Sequence, residues 1–366
     1  MKIAYITLHW PRTASSSIGK KIIRQTEAWR ALGHSVIFFS HLHTVKNEEE
    51  LIESERFFYP NDMGLLKRES GRVAAAGKLM RAVRAYAPDI IYLRWGMYTA
   101  PMRRVFSIAP VVLEINTNDR TEHKHLGLGY DLYNRLTRPI FLRGAQGMVF
   151  TSNELTQDPA FIPYMKQFTV IANGIDLQGI PFYPAPANTP PRLIFLGTPG
   201  MAWHGLKKLA VLADLNPDIR IDVIGSDPDA VGGLLPANIH FHGYLQGQAF
   251  EEMLANADAA IGTISLHLNE MNEASPFKTR DCAARGIPCI LPYTDTDLSG
   301  LTCDQILQIP NTPDNLQTHS QRIHDFIFAM RGQRLARDVI AHRIDITGKE
   351  RERVAFFEQV LAQATD

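Results

Sequence analysis

Short apolar segments alternate with segments of helical periodicity along this chain, and that alternation restricts its fold more than any single motif. In the first half, Ser15–Lys21 and a helix ending at Gly33 separate the first two apolar segments, as in a βαβ unit. We therefore predict a doubly wound α/β domain whose parallel sheet is covered on both faces. Its six predicted strands are Lys2–Leu8, Ser35–Ser40, Asp89–Arg94, Pro110–Ile115, Gly147–Ser152 and Phe168–Asn173.

A second series of the same kind begins at residue 192. The Pro-rich segment before it, 177–191, is typical of a stiff linker. The pattern thus predicts two Rossmann-like domains, residues 1–176 and 192–346. The strands predicted for the second domain are Arg192–Gly197, Ile219–Gly225, Ile239–Tyr244, Asp258–Ile264 and Pro288–Pro292.

Composition narrows the class of protein. The 366 residues suffice for two domains with full cores, and the formal net charge of zero gives no field that would steer the chain to nucleic acid. The three cysteines form no C-x-x-C pair, which argues against a structural zinc site and a disulfide framework and favours a reducing cytoplasm. No apolar run approaches the roughly 18 residues that span a bilayer. We expect a cytoplasmic protein without nucleic-acid partners.

The most informative motif is a helix in the second domain whose two ends are marked by the sequence. Ser275 has the side chain of an N-cap, Pro276 suits the first helical position, and Gly286 marks the end. Such a start leaves the backbone N–H groups of Phe277 and Lys278 at the positive end of the helix, where a phosphate or diphosphate is stabilised. The Lys278 ammonium adds a full charge nearby.

Two carboxylates flank this predicted anion site. Glu273 lies just before the helix, and Asp281 follows eight residues later, about 12 Å along a helix at roughly 1.5 Å per residue. The pair could hold the hydroxyls of both sugars of a nucleotide sugar while the helix start holds the diphosphate. Two solvated surface charges beside an ordinary helix start would give the same pattern.

This run resembles the E-x7-E signature of family 4 retaining glycosyltransferases of the GT-B type. Asp281 is one methylene shorter than the family's second Glu. The resemblance implies two Rossmann-like domains facing each other across a cleft, with a last helix at about 347–366 crossing back to the first domain. This sequence matches the family's extended motif around that signature at Glu273, Ser275, Pro276, Lys278, Asp281, Ala284, Gly286 and Pro288.

The first domain carries further parts of the resemblance. Gly19 corresponds to a loop glycine that faces the donor phosphate and the acceptor, and Val170–Asp176 resembles the segment that closes this domain. Glu114 and Asn116 end the fourth predicted strand at a place where many members have a His near the anomeric carbon. Asn cannot take up a proton, so a hydrogen-bonding role remains for Asn116, and a strand-end Asn that caps a turn is the alternative.

The second domain carries the remaining parts of the resemblance. The segment Gly197–Leu209 resembles a W-H-G variant of the first donor-domain loop, in which Thr198 and His204 replace the Arg and Lys that hold diphosphate in the better-known form. Lys207 is the nearest substitute, although an exposed helix face would look the same. Tyr244 and Leu245 occupy the place where members lay a base against backbone groups.

A basic segment in the first domain, residues 64–86, has helical periodicity. Val73, Ala76, Met80 and Val83 fall on one face, and from residue 62 to 87 six basic residues stand against two acidic ones, a net charge of +4. In glycosyltransferases of this kind such a helix implies peripheral contact with the anionic inner face of a membrane. A solvated helix surface is the alternative.

The resemblance predicts a retaining, metal-independent transferase that moves a hexose from a nucleotide diphosphate sugar to a hydroxyl of a glycan or lipid-linked acceptor, in cell-surface polysaccharide synthesis. Glu273 and Asn116 are the predicted catalytic residues, and no cofactor is expected beyond the donor. The D-x-D at Asp295–Asp297 lies in a turn-like segment and is a weak metal candidate, and the polar segment His123–His125 is predicted to be a loop. A non-catalytic sugar-nucleotide-binding homologue is the alternative, and epimerisation through His9 or His204 is a third.

Overall fold

The computed structural model describes residues 1–9 and 13–364 and divides into two compact units. Unit 1 comprises Met1–Gly174 together with Ile346–Asp366, and unit 2 comprises Ile175–Asp345. The Pro-rich segment 177–191 lies within unit 2. Residues 10–12 of the predicted first loop lie outside the described residues, as does the side chain of His125.

Unit 1 is built on a parallel sheet of seven strands among the described residues, in the order β3-β2-β1-β4-β5-β6-β7. The strands are β1 Lys2–His9, β2 Ser35–His43, β3 Glu55–Tyr59, β4 Ile90–Arg94, β5 Val111–Ile115, β6 Gly147–Phe150 and β7 Gln167–Val170. Its helices in the first half of the chain are α1 Ser17–Ala31, α2 Leu65–Tyr86, α3 Asp119–Leu126, α4 Leu128–Gly144 and α5 Asn153–Thr156. All six predicted strands are present.

Unit 2 contains a second parallel sheet, of six strands among the described residues, in the order β10-β9-β8-β11-β13-β15. These strands are β8 Arg192–Leu196, β9 Arg220–Ile224, β10 Ile239–Phe241, β11 Ala259–Ile261, β13 Cys289–Leu291 and β15 Ile306–Gln308. A small separate sheet pairs β12 Glu273–Ala274 with β14 Thr294–Asp295. The helices are α6 Leu206–Leu215, α7 Gly247–Ala255, α8 Phe277–Ala284, α9 Asn315–Thr318, α10 Ser320–Ala329 and α11 Arg337–Ile344. The two parallel sheets with flanking helices confirm the predicted doubly wound architecture.

The C-terminal helix α12, Ile346–Ala364, belongs to unit 1. It buries Phe357 against Trp29 of α1 and Tyr92 of β4, with ring centroids 5.4 Å and 5.3 Å apart. Arg353 and Glu350 form a buried ion pair at 2.9 Å beside these rings. Each fully buried aromatic or aliphatic side chain contributes about 1.5–3 kcal/mol, so this contact anchors α12 to the core of unit 1.

Two sequence predictions about unit 1 need correction. The segment His123–His125 is part of α3, and the buried His123 ring is hydrogen-bonded to the Asp119 carbonyl at 2.6 Å, so it is not a loop. On α2, Ala76, Met80 and Val83 are buried as predicted, but Val73 is 41% exposed. None of the helices in the described part of the chain is both long enough and apolar enough to cross a bilayer.

Candidate functional site

Helix α8 begins one residue later than the sequence predicted. Pro276 has extended backbone angles (φ −67°, ψ 133°), and its carbonyl accepts the first helical hydrogen bond, from Arg280 at 3.3 Å. Pro276 is therefore the N-cap residue and the assignment of Ser275 to that position was wrong, because Ser275 lies buried in the preceding extended segment. The first N–H groups of the helix still belong to Phe277 and Lys278, as the prediction requires.

The other end of α8 follows the prediction. Gly286 has φ +82°, and its N–H donates to the Ala283 carbonyl at 2.9 Å, while the Ile287 N–H donates to the Cys282 carbonyl at 3.0 Å. This pair of bonds is a Schellman motif, which requires a left-handed residue and therefore favours glycine.

Lys278 connects the start of α8 with the loop that follows β8. Its Nζ donates to the Gly197 carbonyl and to Thr198 Oγ1, the latter at 2.5 Å. Burial lowers the pKa of Lys278 to about 8. No acidic side chain is within ion-pair distance of Lys278 among the described residues, so its positive charge is held only by neutral oxygens.

His204 fixes the same loop from the other side. Its Nδ1 accepts a hydrogen bond from the Thr198 backbone N–H at 2.9 Å, and burial, with the Lys278 charge as a second cause, lowers the pKa of His204 to about 3. The imidazole is therefore neutral at physiological pH. It does not supply the charge of the family's Lys, and its remaining ring nitrogen, Nε2, carries the proton.

Glu273 is held immediately before α8 by the small second sheet. Thr294 N–H donates to the Asn272 carbonyl at 2.9 Å and Thr296 N–H donates to the Ala274 carbonyl at 3.2 Å, so the backbone is paired on both sides of Glu273. The carboxylate-bearing residue is half-buried. This pairing gives Glu273 a defined position beside the helix start.

The buried Arg280 binds both carboxylates of the D-x-D segment. Its Nη2 lies 2.9 Å from Asp295 Oδ1, and its Nη1 contacts Asp297. Arg280 thereby clamps the segment after β14 to the first turns of α8. Both aspartates of the D-x-D segment are thus ion-paired with Arg280.

Asp281 lies in an ion pair on the same helix. Its Oδ1 is 2.5 Å from Nη1 of Arg285, whose Nη2 also binds Glu251 at 2.8 Å. Asp281, which was predicted to contact the ribose, is thus already fixed by the Arg285 guanidinium.

The remaining residues predicted in unit 2 follow strand ends at the same edge of the sheet. Lys207 is exposed in the first turn of α6. Its neighbour Lys208 instead binds the Thr312 carbonyl at 2.8 Å. After β10, Tyr244 is 74% exposed and Leu245 is half-buried. Because all strands are parallel, these residues and Thr198 share the carboxyl edge of the sheet, where doubly wound folds bind ligands.

In unit 1, a buried polar cluster lies at the carboxyl edge of the sheet. Glu114 is fully buried, and its two oxygens bind Lys21 Nζ at 2.5 Å and Arg94 Nη1 at 2.8 Å. Burial alone would raise the pKa of Glu114, but the charges of Lys21 and Arg94 outweigh it and hold this pKa well below its usual range. Burial also lowers the pKa of Lys21 to about 8, against the opposing effect of Glu114.

Asn116 belongs to this cluster. Its Oδ1 accepts from Arg94 Nη1 at 3.1 Å and from Lys21 Nζ at 3.3 Å, and Lys21 also donates to Asn173 Oδ1 at 2.8 Å. Asn116 is therefore tied to two cations. The sequence analysis did not select Lys21 or Arg94 as site residues. The position of Arg94, a charged residue at the end of an apolar strand, was a signal that could have identified it.

Gly19 lies inside α1, and not in the loop before it. Its N–H donates to Oγ of the N-cap residue Ser16 at 3.0 Å, and a Cβ at this position would lie 1.8 Å from the Thr13 carbonyl oxygen. Glycine is required here by the close turn Thr13–Gly19. The predicted close approach of a donor phosphate to the backbone at Gly19 stays a prediction.

Comparison with curated proteins by sequence finds no match. Residues 21–178 match the model of Glycosyltransferase Family 4. The fold is similar to that of sucrose-phosphate synthase from Thermosynechococcus elongatus (TM-score 0.70, 16% identity, covering 99% of this chain and 100% of that one). It is also similar to Anabaena HepE in complex with UDP (0.69, 14%, 98% and 100%) and to the lipopolysaccharide outer core galactosyltransferase WaaB (0.66, 12%, 98% and 100%). Residues 21–178 thus match the family model of Glycosyltransferase Family 4, and the chain has the GT-B fold, built from two Rossmann-like units.

Proposed function

We propose that this protein is a retaining, metal-independent hexosyltransferase that uses a nucleotide diphosphate sugar and transfers the hexose to a hydroxyl of a glycan or lipid-linked acceptor in cell-surface polysaccharide synthesis. The observation that carries the proposal is the start of α8. There Glu273 is fixed beside the first N–H groups of the helix, and Lys278 holds a charge that no acidic side chain among the described residues neutralises.

The donor diphosphate is proposed to bind at this helix start. The N–H groups of the first turn lie at the positive end of α8, and the helix dipole favours an anion there. Lys278 lies in the same turn. As the bond between the sugar and the diphosphate breaks, negative charge grows on the departing phosphate, and these preorganised groups stabilise it.

Glu273 is proposed to hold hydroxyls of the donor sugar and so to orient the anomeric carbon. Asp281, already fixed by Arg285, would contact the ribose, and Tyr244 with Leu245 would lie against the base. The departing phosphate takes the proton of the acceptor hydroxyl. The acceptor oxygen then attacks the anomeric carbon on the face that the phosphate leaves. HepE, one of the proteins of similar fold, binds UDP in its solved structure, which supports a uridine nucleotide as the first donor to try.

Unit 1 is proposed to bind the acceptor at the carboxyl edge of its sheet. Asn116, held by Lys21 and Arg94, would donate or accept hydrogen bonds to sugar hydroxyls there. WaaB is named a lipopolysaccharide outer core galactosyltransferase, and this similarity of fold supports a glycan acceptor for the present chain.

A donor screen tests the proposal. The purified protein is mixed with UDP-, GDP- and ADP-sugars, thermal stabilisation is measured for each, and slow donor hydrolysis is followed for the best ligand. We expect one donor to stabilise the protein and to be hydrolysed, with hydrolysis lost in Glu273→Gln. Glu252→Gln, which removes the same charge from an exposed position of α7, serves as the matched control.

The alternative is a non-catalytic sugar-nucleotide-binding homologue that acts as a partner or scaffold. The neutral, buried His204 and the Thr198 beside it favour this alternative, because they replace the cations of the better-known loop. Stabilisation by a donor without turnover, even when acceptor mixtures are supplied, would decide for it. No stabilisation by any nucleotide sugar would contradict both functions.

We further infer peripheral contact with an anionic membrane through α2 and its neighbour α4. Leu65 and Leu66 at the start of α2 are 65% and 86% exposed. Exposed basic residues follow on the same helix at Lys67, Lys78, Arg81 and Arg84. On α4, large apolar side chains at a spacing of four residues are also exposed, namely Leu128, Leu132, Leu136 and Ile140.

These two helices lie next to each other, since the Arg72 guanidinium is 6.0 Å from the centre of the Tyr133 ring. Apolar side chains flanked by basic ones are the features of an interfacial helix. Cosedimentation with phosphatidylglycerol vesicles should therefore be strong and should fall in Leu66→Ser and Leu136→Ser, with little binding to phosphatidylcholine alone. Equal binding by the variants would contradict this inference.

A further inference from the structure

A pocket of about 390 Å³ opens in unit 2 at the amino edge of the sheet. Arg192 and Arg220, the first residues of β8 and β9, line it together with His240 of β10. The proposed donor site lies at the opposite edge, after the carboxyl end of β8. Since a strand rises roughly 3.3 Å per residue, a strand of this length separates the two sites by on the order of 15 Å. The pocket is therefore distinct from the donor site.

Two like charges are placed side by side in this pocket. Arg192 and Arg220 are register partners in the paired strands β8 and β9, where neighbouring backbones are about 4.8 Å apart. Like charges at directly paired positions of a sheet are unfavourable unless something neutralises them. No Asp or Glu is among the described residues that line the pocket. The nearest acid on these strands, Asp222, forms an ion pair with Arg220.

Asp222 pairs with Arg220 and with a histidine of the loop after β10. Both accept from Nε of Arg220, at 3.0 Å and 3.1 Å, and Oδ1 is also 2.7 Å from Nε2 of His242. The two terminal nitrogens of Arg220 have no hydrogen-bond acceptor, and the whole guanidinium of Arg192 has none, among the residues that the structure describes. Asp222 thus neutralises Arg220, and Asp258 accepts from the Arg192 backbone N–H at 2.8 Å and from Asn188 Nδ2 at 2.7 Å, while the N–H donors of the Arg192 guanidinium and of the Arg220 terminal nitrogens have no acceptor among the described residues.

The rest of the lining indicates the size and kind of ligand. Pro190, Pro217 and Ile219 contribute an apolar wall. Burial, followed by the charge of Arg220, lowers the pKa of His240, so its ring is neutral and can offer one N–H. Guanidinium groups bind phosphate through paired N–H donors, and a volume of this order accommodates a small ring as well.

We propose that this pocket binds a small phosphorylated molecule of the size of a hexose phosphate, with Arg192 and Arg220 on the phosphate and the apolar wall against the ring. The site is separate from the donor site and does not depend on the function proposed above. Its ligand carries a phosphate monoester, which is the chemistry that the guanidinium of Arg192 and the two terminal nitrogens of Arg220 can bind with paired N–H donors.

The test is calorimetric titration of the full-length protein with glucose 6-phosphate, inorganic phosphate and citrate. Arg192→Gln is the informative variant, because this side chain has no intramolecular partner to lose and the fold should be retained. Arg322→Gln removes the same charge from an exposed position of α10 in the same unit and is the matched control. Lys278→Ala perturbs the proposed donor site alone.

We expect glucose 6-phosphate to bind the native protein and the Arg322→Gln and Lys278→Ala variants alike, and to bind Arg192→Gln about tenfold or more weakly. No binding by the native protein would overturn the proposal. Binding that is lost in Lys278→Ala but kept in Arg192→Gln would also overturn it, because the ligand would then occupy the donor site. Tighter binding of citrate, or equal binding of inorganic phosphate, would refute the assignment of a phosphorylated sugar-sized ligand.

Discussion

The two units each place a lysine at the carboxyl edge of a parallel sheet, and the environments of the two lysines differ. Lys21 in unit 1 is buried against the carboxylate of Glu114 at 2.5 Å. Lys278 in unit 2 contacts only the Gly197 carbonyl and the Thr198 hydroxyl. Burial lowers both pKa values to about 8. From this difference we expect the Lys21 charge to serve the fold and the Lys278 charge to be available to a ligand.

A buried charge is tolerated when it is paired, and an unpaired one favours any anion that can reach it. The charge of Lys21 is neutralised within unit 1, where Glu114 is shared with Arg94. The charge of Lys278 has no such partner in the described part of the chain. We therefore expect Glu114 to matter chiefly for stability and Lys278 chiefly for donor binding and transfer.

The largest expected effect is that of Glu114→Gln. It leaves Lys21 and Arg94 buried without their anion, and removal of one partner from a buried pair costs about 3–5 kcal/mol. Urea denaturation should show this loss in the free energy of unfolding. Glu27→Gln, which breaks an exposed pair with Arg24, is the matched control and should change stability by less than about 1 kcal/mol. Similar values for both variants would contradict the assigned role of Glu114.

Lys278→Ala comes next, and its effect should fall on activity. Loss of a preorganised group beside developing charge lowers turnover by about 10²–10³-fold. The free energy of unfolding should be little changed or even raised, because a desolvated charge is removed. Steady-state kinetics with the donor found in the screen, and denaturation of the same sample, measure the two quantities. Lys166→Ala, an exposed lysine of unit 1, is the control, and a variant with intact turnover would refute this role for Lys278.

The pH dependence of donor binding distinguishes the two lysines further. The pKa of Lys278 is lowered, to about 8, so the ammonium is present below that pH and is lost above it. Donor affinity should therefore fall as the pH rises through about 8, by up to about tenfold per pH unit if the charge is essential. A bound diphosphate raises the pKa and moves the fall to higher pH.

Lys278→Arg provides the check on this profile. Arginine stays charged over the whole range, so any donor affinity that the variant retains should not fall between pH 7.5 and 9.5. Isothermal titration at several pH values measures it. A fall that is identical in Lys278→Arg would assign the titration to another group.

The smallest effect is expected for Thr198→Val, which removes one neutral oxygen from Lys278 and keeps the side-chain volume. A hydrogen bond to a charged group contributes about 1.5–3 kcal/mol, and a hydroxyl that water can replace contributes less. Donor affinity should change by less than about tenfold, since the charge remains. A loss as large as that of Lys278→Ala would mean that Thr198 itself contacts the donor.

The strands that were missed in the two parallel sheets both lie at a sheet edge. In unit 1, β3, Glu55–Tyr59, was missed, and only Tyr59 of its residues is buried. In unit 2, β15, Ile306–Gln308, was missed, and only its central residue is buried. Interior strands of parallel sheets are apolar throughout, and edge strands are not.

The site shows the same division between local and long-range information. The end of α8 at Gly286 was predictable because a left-handed residue after a helix is a local requirement. The partners of Lys278 were not, since Gly197 and Thr198 are about eighty residues away in sequence. For the same reason the cluster of Lys21, Arg94 and Glu114 was not recognised.

The sequence by itself determined the two Rossmann-like units, the existence of the helix that ends at Gly286, and the position of Glu273 just before it, because periodicity, proline, glycine and chain order act over a few residues. Tertiary structure alone decided which charges are neutralised. It paired Glu114 with Lys21, left Lys278 to neutral oxygens, and placed Arg192 beside Arg220 across two strands. The physical reason is that burial and ion pairing depend on which distant residues the fold brings together, and no local pattern encodes those distances.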